Sequence, residues 1–468
     1  MTGVLEPVAR LASRPDALTV QRLDALFDSW RVLLDVDGAV VGEGEAGGTP
    51  FVAFATDPTV QGGALGVEGC AAIVRATDLA VERGIPVVGL WHSGGARLRE
   101  GVAALDAVAR VFTAQTRASG RVAQISVVLG PAAGGAAYGP ALTDLVVLGP
   151  AGRLFVTGPD IVRRVTGEDV TMESLGGGAV HGRKSGVVHL VTASDPEAFD
   201  TARRLVRLLG ARTLPDPSPR SDIDPSPLVP TDNRKPYDMR HVLRTLLDRG
   251  TLLELHPEWA PNAVTALGRL GGRTVGIVAN NPLRLAGCLD ADSGDKTGRF
   301  VQWCDTLGIP LVFLVDVPGY LPGLGQEEGG VVRRGAKLLH AYAAAAVPRL
   351  TVVLRKSFGG AYIAMGSKGL GADRVFAWPG AQVDVMGALA AVEVLHRREL
   401  AAEPNPARRA TLVAELAARH EATTGGLERA VASGCVDEVI EPRDTRRVLV
   451  EALAVLPDRR GGSRNGPL

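Results

Sequence analysis

Two glycine pairs, Gly94-Gly95 and Gly359-Gly360, each follow a short apolar run and open a helical pattern. Glycine admits positive φ and carries no Cβ to bar a ligand. The first N–H groups of a helix have no partner inside it, so they can point at an anion or an oxyanion. A thioester carbonyl becoming an enolate needs such donors. Tight packing alone explains many isolated Gly-Gly turns; the recurrence at matching places weighs towards chemistry. Side-chain machinery is sparse by comparison. The eight histidines are dispersed without a His-x-x-x-His pair, and Gly-x-Ser-x-Gly is absent. Gly130-Pro-Ala-Ala-Gly-Gly-Ala136 lacks the Gly-Lys-Ser/Thr ending of a phosphate loop. Backbone donors without catalytic dyads suit enolate stabilisation.

The elements that must hold these turns occur twice. Gly84-Ile-Pro-Val-Val-Gly-Leu-Trp91 resembles Gly308-Ile-Pro-Leu-Val-Phe-Leu-Val315. His92-Ser-Gly-Gly-Ala96 then parallels Asp316-Val-Pro-Gly-Tyr320. Gln124–Leu129, leading to Gly134-Gly-Ala136, parallels Arg349–Leu354, leading to Gly359-Gly-Ala361. Ser185–Val191 parallels Ser433–Ile440. A period of about 225 residues implies duplicated domains rather than a solenoid. Within each half, apolar runs alternate with helical patterns. A helix ends over Leu79–Arg83, a strand covers Pro86–Trp91, a helix Arg97–Arg117 and a strand Gln124–Leu129. That order predicts βαβ units and mainly parallel sheets, an α/β fold. The Pro/Asp/Ser-rich stretch 213–236 reads as a linker between domains 1–212 and 237–458, and 459–468 reads as a disordered tail.

Composition bounds the rest. A chain of 468 residues exceeds the ~250–300 at which single cores stop growing. Apolar residues at 46% and charged residues at 22% exclude overall disorder. Fifty-one basic side chains balance fifty-one acidic ones, which argues against nucleic-acid binding. The four scattered cysteines form no Cys-x-x-Cys pair, so no zinc finger or redox pair is expected, and free thiols fit the cytoplasm. The start lacks the pattern of a signal peptide, and no run of ~18 apolar residues reads as a membrane span.

The chain resembles the carboxyltransferase (β) subunit of biotin-dependent acyl-CoA carboxylases, of the propionyl-CoA/acetyl-CoA carboxylase type. In the first half the resemblance rests on His92-Ser-Gly-Gly-Ala-Arg-Leu-Arg-Glu-Gly101, Gly130–Asp144, Thr157-Gly-Pro-Asp160 and Gly167-Glu-Asp-Val170. In the second it rests on Gly272–Ile277, Cys304-Asp305, Asp316-Val-Pro-Gly319, Gly329–Leu339, Arg355-Lys-Ser-Phe-Gly-Gly-Ala-Tyr362 and Met386-Gly-Ala388. It departs at His92, at Gln61-Gly-Gly-Ala-Leu65, at Glu327-Glu328 and in a short region before Phe51.

The resemblance implies two tandem crotonase-like domains, each a ββα superhelix. It implies transfer of CO2 from carboxybiotin on a separate carrier protein to the α-carbon of acetyl-CoA or propionyl-CoA. Gly94 and Gly95 match the pair holding the thioester oxygen; Gly360 and Ala361 match the pair holding the biotin ureido oxygen. Ala96, Arg97, Gly134, Gly135, Ala136 and Tyr138 fall on the acyl-CoA side. Gly319, Tyr320, Gly359 and Tyr362 fall on the biotin side. Ile363 stands where the family tends to carry Asp in propionyl-selective members, so it leans towards acetyl or broad short-chain use. No metal is implied. The carrier and biotin carboxylase must be separate chains, because no Met-Lys-Met attachment sequence occurs. A homo-oligomer, a hexamer in the family, is expected. Two alternatives stay open: a biotin-dependent decarboxylase subunit and a non-catalytic scaffold subunit.

Overall fold

The computed structural model describes residues 17–210, 223–423 and 425–462. Two compact units divide the chain. One holds the residues up to Thr213 together with His256–Trp259; the other holds Leu214–Leu255 and Ala260–Gly461.

The first unit is built on eight strands: β1 (Ser29–Val36), β2 (Ala39–Ala46), β3 (Thr49–Thr56), β4 (Val87–Ser93), β5 (Gln124–Ala133), β6 (Leu145–Leu148), β7 (Arg153–Phe155) and β8 (Leu190–Val191). Their order is β1-β2-β3-β4-β5-β6-β8, with β7 pairing the far end of β5. The first three run antiparallel; every pairing from β3–β4 onward is parallel. Parallel strands are covered on both faces, which is why β4 and β5 read as continuous apolar runs. Helix Val67–Arg83 covers one face through Cys70, Ile73, Ala76, Thr77 and Ala80, spaced three and four apart. The expected helix Arg97–Arg117 is divided. A short turn, Leu98–Glu100, precedes helix Val102–Ala118 because Gly101 stands between them at φ +55°.

The second unit repeats this plan with β9 (Leu253–Leu255), β10 (Ala263–Leu270), β11 (Arg273–Asn280), β12 (Leu311–Val317), β13 (Arg349–Phe358), β14 (Arg374–Ala377), β15 (Gln382–Asp384) and β16 (Glu438–Val439). The order is β9-β10-β11-β12-β13-β14-β16, with β15 pairing β13. Strand senses match those of the first unit. Helix Ala291–Leu307 starts at a reciprocal cap between Asp290 and Ser293. Helix Ala388–Leu395 follows β15 as helix Pro159–Thr166 follows β7. What comes next differs: among the described residues the first unit continues in the short helices Met172–Gly176 and Gly178–His181, whereas here Arg397–Ala402 and the long helix Pro406–Thr423 join Ala388–Leu395 in packing around Val392, Leu400, Leu416 and Ala417.

Residues 213–222 of the expected linker lie outside the described residues. From Ile223 the chain is not a free linker but is tied to the second unit. Arg355 Nη1 donates to the carbonyls of Pro230, Asp232 and Lys235, and Lys356 Nζ to that of Asn233. The start of the expected tail is likewise held: Arg459 pairs with Asp373, and the Gly461 N–H donates to Asp305 O. Residues 463–468 lie outside the described residues.

Candidate active site

In the first unit β4 ends at Ser93, and Ala96 then forms a parallel bridge with Leu65. Leu65 donates to Gly95 O at 2.8 Å, and Arg97 N–H donates to Leu65 O at 2.9 Å. The bridge turns the Ala96 N–H away from Leu65, and it has no internal acceptor among the described residues. Beside it β5 ends, with Ser93 paired to Ala132, and Gly134 leads into the short helix Gly135–Ala141. Gly134 stands at φ +56°, which a side chain would strain, and this sharp turn leaves the Gly135 and Ala136 N–H groups without internal acceptors. Ala136 is fully buried, and its side chain anchors the turn.

The second unit repeats the arrangement. Leu289 bridges Tyr320, with Leu289 N–H to Gly319 O at 3.1 Å and Leu321 N–H to Leu289 O at 2.7 Å. Gly359, at φ +58°, opens helix Gly359–Ala364, and the N–H groups of Tyr320, Gly360 and Ala361 have no internal acceptor among the described residues. Ala361 is fully buried, as Ala136 is. The Tyr320 hydroxyl is buried and unpartnered, and burial pushes its pKa up. Gly360 leaves room beside it: a Cβ there would come no closer than 3.8 Å to the Tyr320 ring.

The structure departs from the expected pair Gly94 and Gly95. Gly94 N–H already donates to Gly62 O at 3.0 Å, and Gly95 N–H is turned onto its neighbour Ser93 Oγ at 3.3 Å. The counterpart of Gly94 is Pro318, which has no N–H. At these two turns the N–H groups without an acceptor among the described residues are therefore those of Ala96, Gly135 and Ala136. The sequence held this signal, since His92–Ala96 aligns with Asp316–Tyr320 and Gly134–Ala136 with Gly359–Ala361.

Arg97 is also placed differently. Its side chain is 6% exposed, with Nη1 on Asp37 Oδ2 at 2.6 Å and on Glu100 Oε1 at 3.1 Å. It braces the turn through these two carboxylates. Tyr138, which the resemblance places on the acyl-CoA side, is 49% exposed. Ile363 is 44% exposed and lines a cavity of about 480 Å³ with Gly359, Gly360, Tyr362, Val385 and Cys435. The Tyr362 phenol is pushed up by burial and by its contact with Cys435. His92, two residues before Gly94, is held below the usual imidazole range by burial and by Arg22. Its ring fills the space that a side chain at position 130 would need, which accounts for Gly130. No group of three or more His, Cys, Asp or Glu residues is placed to hold a metal among the described residues.

Known proteins carry the same plan. The chain is 56% identical over 454 residues to the biotin-dependent acetyl-/propionyl-coenzyme A carboxylase beta6 subunit of Mycobacterium tuberculosis, covering 96% of each. It is 49% identical over 476 residues to the propionyl-CoA carboxylase beta chain of Rhodococcus erythropolis, covering 99% of this chain and 100% of that one. Among solved structures, a transcarboxylase 12S hexamer with methylmalonyl-coenzyme A and methylmalonic acid bound matches with a TM-score of 0.89 at 39% identity. The match covers 96% of this chain and 92% of that one. The carboxyl transferase domain family matches residues 28–463, taking in the donor turns of both units, and the chain belongs to that family.

Proposed function

We propose that this chain is the carboxyltransferase subunit of a biotin-dependent acyl-CoA carboxylase, carboxylating the α-carbon of acetyl-CoA or propionyl-CoA to malonyl-CoA or methylmalonyl-CoA. One observation carries the reading. Both units end matching strands in a bridged residue and a glycine-opened helix whose N–H groups lack internal partners.

In the first unit Ala96, Gly135 and Ala136 hold the thioester oxygen as negative charge develops on it. One such donor is worth about 3–4 kcal/mol of barrier. In the second unit Tyr320, Gly360 and Ala361 hold the ureido oxygen of the carrier's biotin. The orphaned Tyr320 hydroxyl and the open face of Gly360 suit a polar, planar ring there. Carboxybiotin, when bound, supplies the CO2 and a base for the α-proton. The residues of this chain fix both oxygens. Gly134 and Gly359 keep the donors aimed, and Gly319 shapes the turn before Tyr320. Tyr362 and Ile363 line the neighbouring wall.

Each unit reads as a crotonase-like domain, supported by the repeated strand order and the helix after each parallel strand. The chain works as a homo-oligomer, a hexamer like its 12S relative. Helix Pro159–Thr166 has no buried residue, and Ile161 and Val165 stand exposed on it, which suits cover by a second copy. Its partners are a biotin carboxylase and a biotin carrier, in the cytoplasm, where Cys70, Cys288, Cys304 and Cys435 stay free.

The test reconstitutes the chain with biotinylated carrier, biotin carboxylase, ATP and labelled bicarbonate against acyl-CoAs of rising length. Label in malonyl-CoA or methylmalonyl-CoA that depends on the carrier supports the reading. Carrier-dependent loss of the carboxyl group from those esters, without labelling, makes the chain a decarboxylase subunit. Neither activity in an assembled complex makes it a scaffold.

A further inference from the structure

The second unit carries a titratable pair behind its donor turn that the first unit lacks. Asp384 closes β15, in register with Phe358, the residue before Gly359. The next residues on each strand also meet: a Cβ on Gly359 would stand 3.1 Å from Val385 O. Val385, through its carbonyl, is thus the surface on which the turn rests. Strand pairing alone holds it weakly, because β15 is three residues long.

The Asp384 side chain adds a second hold. Its Oδ1 accepts the Val385 N–H at 2.6 Å, and its Oδ2 accepts from His420 Nε2 at 3.1 Å. Both side chains are 11% exposed. His420 lies on helix Pro406–Thr423, which the first unit does not have among the described residues. Around the pair, Gly425 N–H donates to His420 O and Gly426 N–H to Val383 O, while the carboxylate fills the space of a Cβ on Gly425. The first unit places Phe155 at the corresponding position, paired with Ala133, and buries it. The strand therefore forms without a carboxylate, so the fold does not require Asp384.

We propose that Asp384 and His420 are a positioning pair: His420 orients the Asp384 carboxylate, which holds the Val385 N–H and so sets Val385, whose carbonyl faces Gly359, and with it the direction of the Gly360 and Ala361 N–H groups. The proposal rests on the reading of that turn given under Proposed function. A donor displaced by about 1 Å can cost on the order of 100-fold in rate, so a support of this kind acts on turnover.

The experiment uses the complete carboxylase complex with propionyl-CoA as acceptor. Asp384→Ala is expected to lower kcat roughly tenfold or more with the KM for propionyl-CoA unchanged. Asp384→Asn keeps an oxygen for the Val385 N–H and is expected to recover most of the loss. His420→Ala falls between them, and the double variant Asp384→Ala/His420→Ala is no slower than Asp384→Ala alone, because the two residues act as a unit. Melting temperatures taken alongside identify any variant that fails to fold, and His420→Asn then replaces His420→Ala. Full kcat in Asp384→Ala overturns the proposal, as do losses that multiply in the double variant. Gly360→Val runs in parallel. Transfer surviving there overturns the reading of the turn and the pair's role with it. Transfer lost there, with Asp384→Ala at full rate, overturns the pair alone.

Discussion

The N–H of Gly94 donates to the carbonyl of Gly62 at 3.0 Å, so the first residue of the Gly94-Gly95 turn is committed within its own unit. Nothing but that carbonyl comes within 4 Å of a Cβ added at Gly94, and it does so at 3.4 Å, an ordinary contact. Gly94→Ala is therefore expected to keep kcat for carboxyl transfer within about threefold, under 1 kcal/mol of barrier. Gly360 differs, because its amide is open. Gly360→Val sets two methyls beside that amide and is expected to lower kcat about 100-fold or more, with acyl-CoA affinity little changed. Steady-state kinetics and acyl-CoA binding on both variants check the contrast; a severe loss in Gly94→Ala returns the thioester site to that turn.

Under the second turn lies a buried ion pair. Asp316 is fully buried at the end of β12, its Oδ2 2.7 Å from Arg355 Nε, and the Arg355 side chain is 5% exposed. Asp316 also takes the Lys356 N–H at 3.3 Å, joining β12 to β13 just before Pro318. Asp316→Ala leaves a buried guanidinium uncompensated and is expected to destabilise by about 3–5 kcal/mol. Asp316→Leu combined with Arg355→Met removes the charge pair but also the Arg355 Nη1 bonds to the Pro230, Asp232 and Lys235 carbonyls, so it should recover only part of that. Thermal unfolding of the two variants is the measurement; a double variant no more stable than the single one would mean that the cost lies in packing.

Much of this was readable before any coordinates. The apolar runs 86–91 and 310–315 mark central parallel strands, because burial on both faces leaves no polar alternation. The Gly134 and Gly359 turns were visible because their backbone demands glycine. What was not readable depended on partners distant in sequence. Arg97 meets Asp37 sixty positions away, so its type suggested an anion ligand while its position made it a brace. Asp384 and His420 carry no local pattern and meet only through the added helices. Gly94 looked like a donor because spacing does not reveal which acceptor an amide already has.

Lys296 offers a pH test. It is the sixth residue of the seventeen-residue helix Ala291–Leu307; the sixth residue of the equally long helix Val67–Arg83 is Ala72. Its ammonium donates to Ala263 O at 2.7 Å and Ala260 O at 3.2 Å. Burial pulls its pKa down to about 7. The unfolded value is about 10.4, so the unfolded chain binds a proton that the folded chain releases between those limits. Stability must then be lost as pH falls from about 10 to about 7, and this component is flat below that. Lys296→Met is expected to remove it. Melting curves at pH 7 and pH 9 for both proteins should show a rise in the parent that is smaller in the variant; equal slopes would refute the linkage.

Ile363 tests acyl selection. At 44% exposure its side chain is only half removed from solvent, and it faces the cavity of about 480 Å³ beside Gly360. A carboxylate there keeps much of its hydration, so Ile363→Asp should not carry the several kcal/mol that a fully buried charge would. Folding and assembly are expected to stay normal, with a melting temperature near that of the parent. The effect belongs to specificity. On the proposed reading the acyl end meets this wall, so a polar group there alters its fit, and one methylene in such a pocket discriminates by ~1–3 kcal/mol. The ratio of kcat/KM for acetyl-CoA over propionyl-CoA is expected to fall about tenfold, within that range. Measuring both constants alongside the melting curve separates the causes. An unchanged ratio in a protein that melts normally would remove Ile363 from acyl selection, and a large drop in melting temperature would show that it serves packing instead.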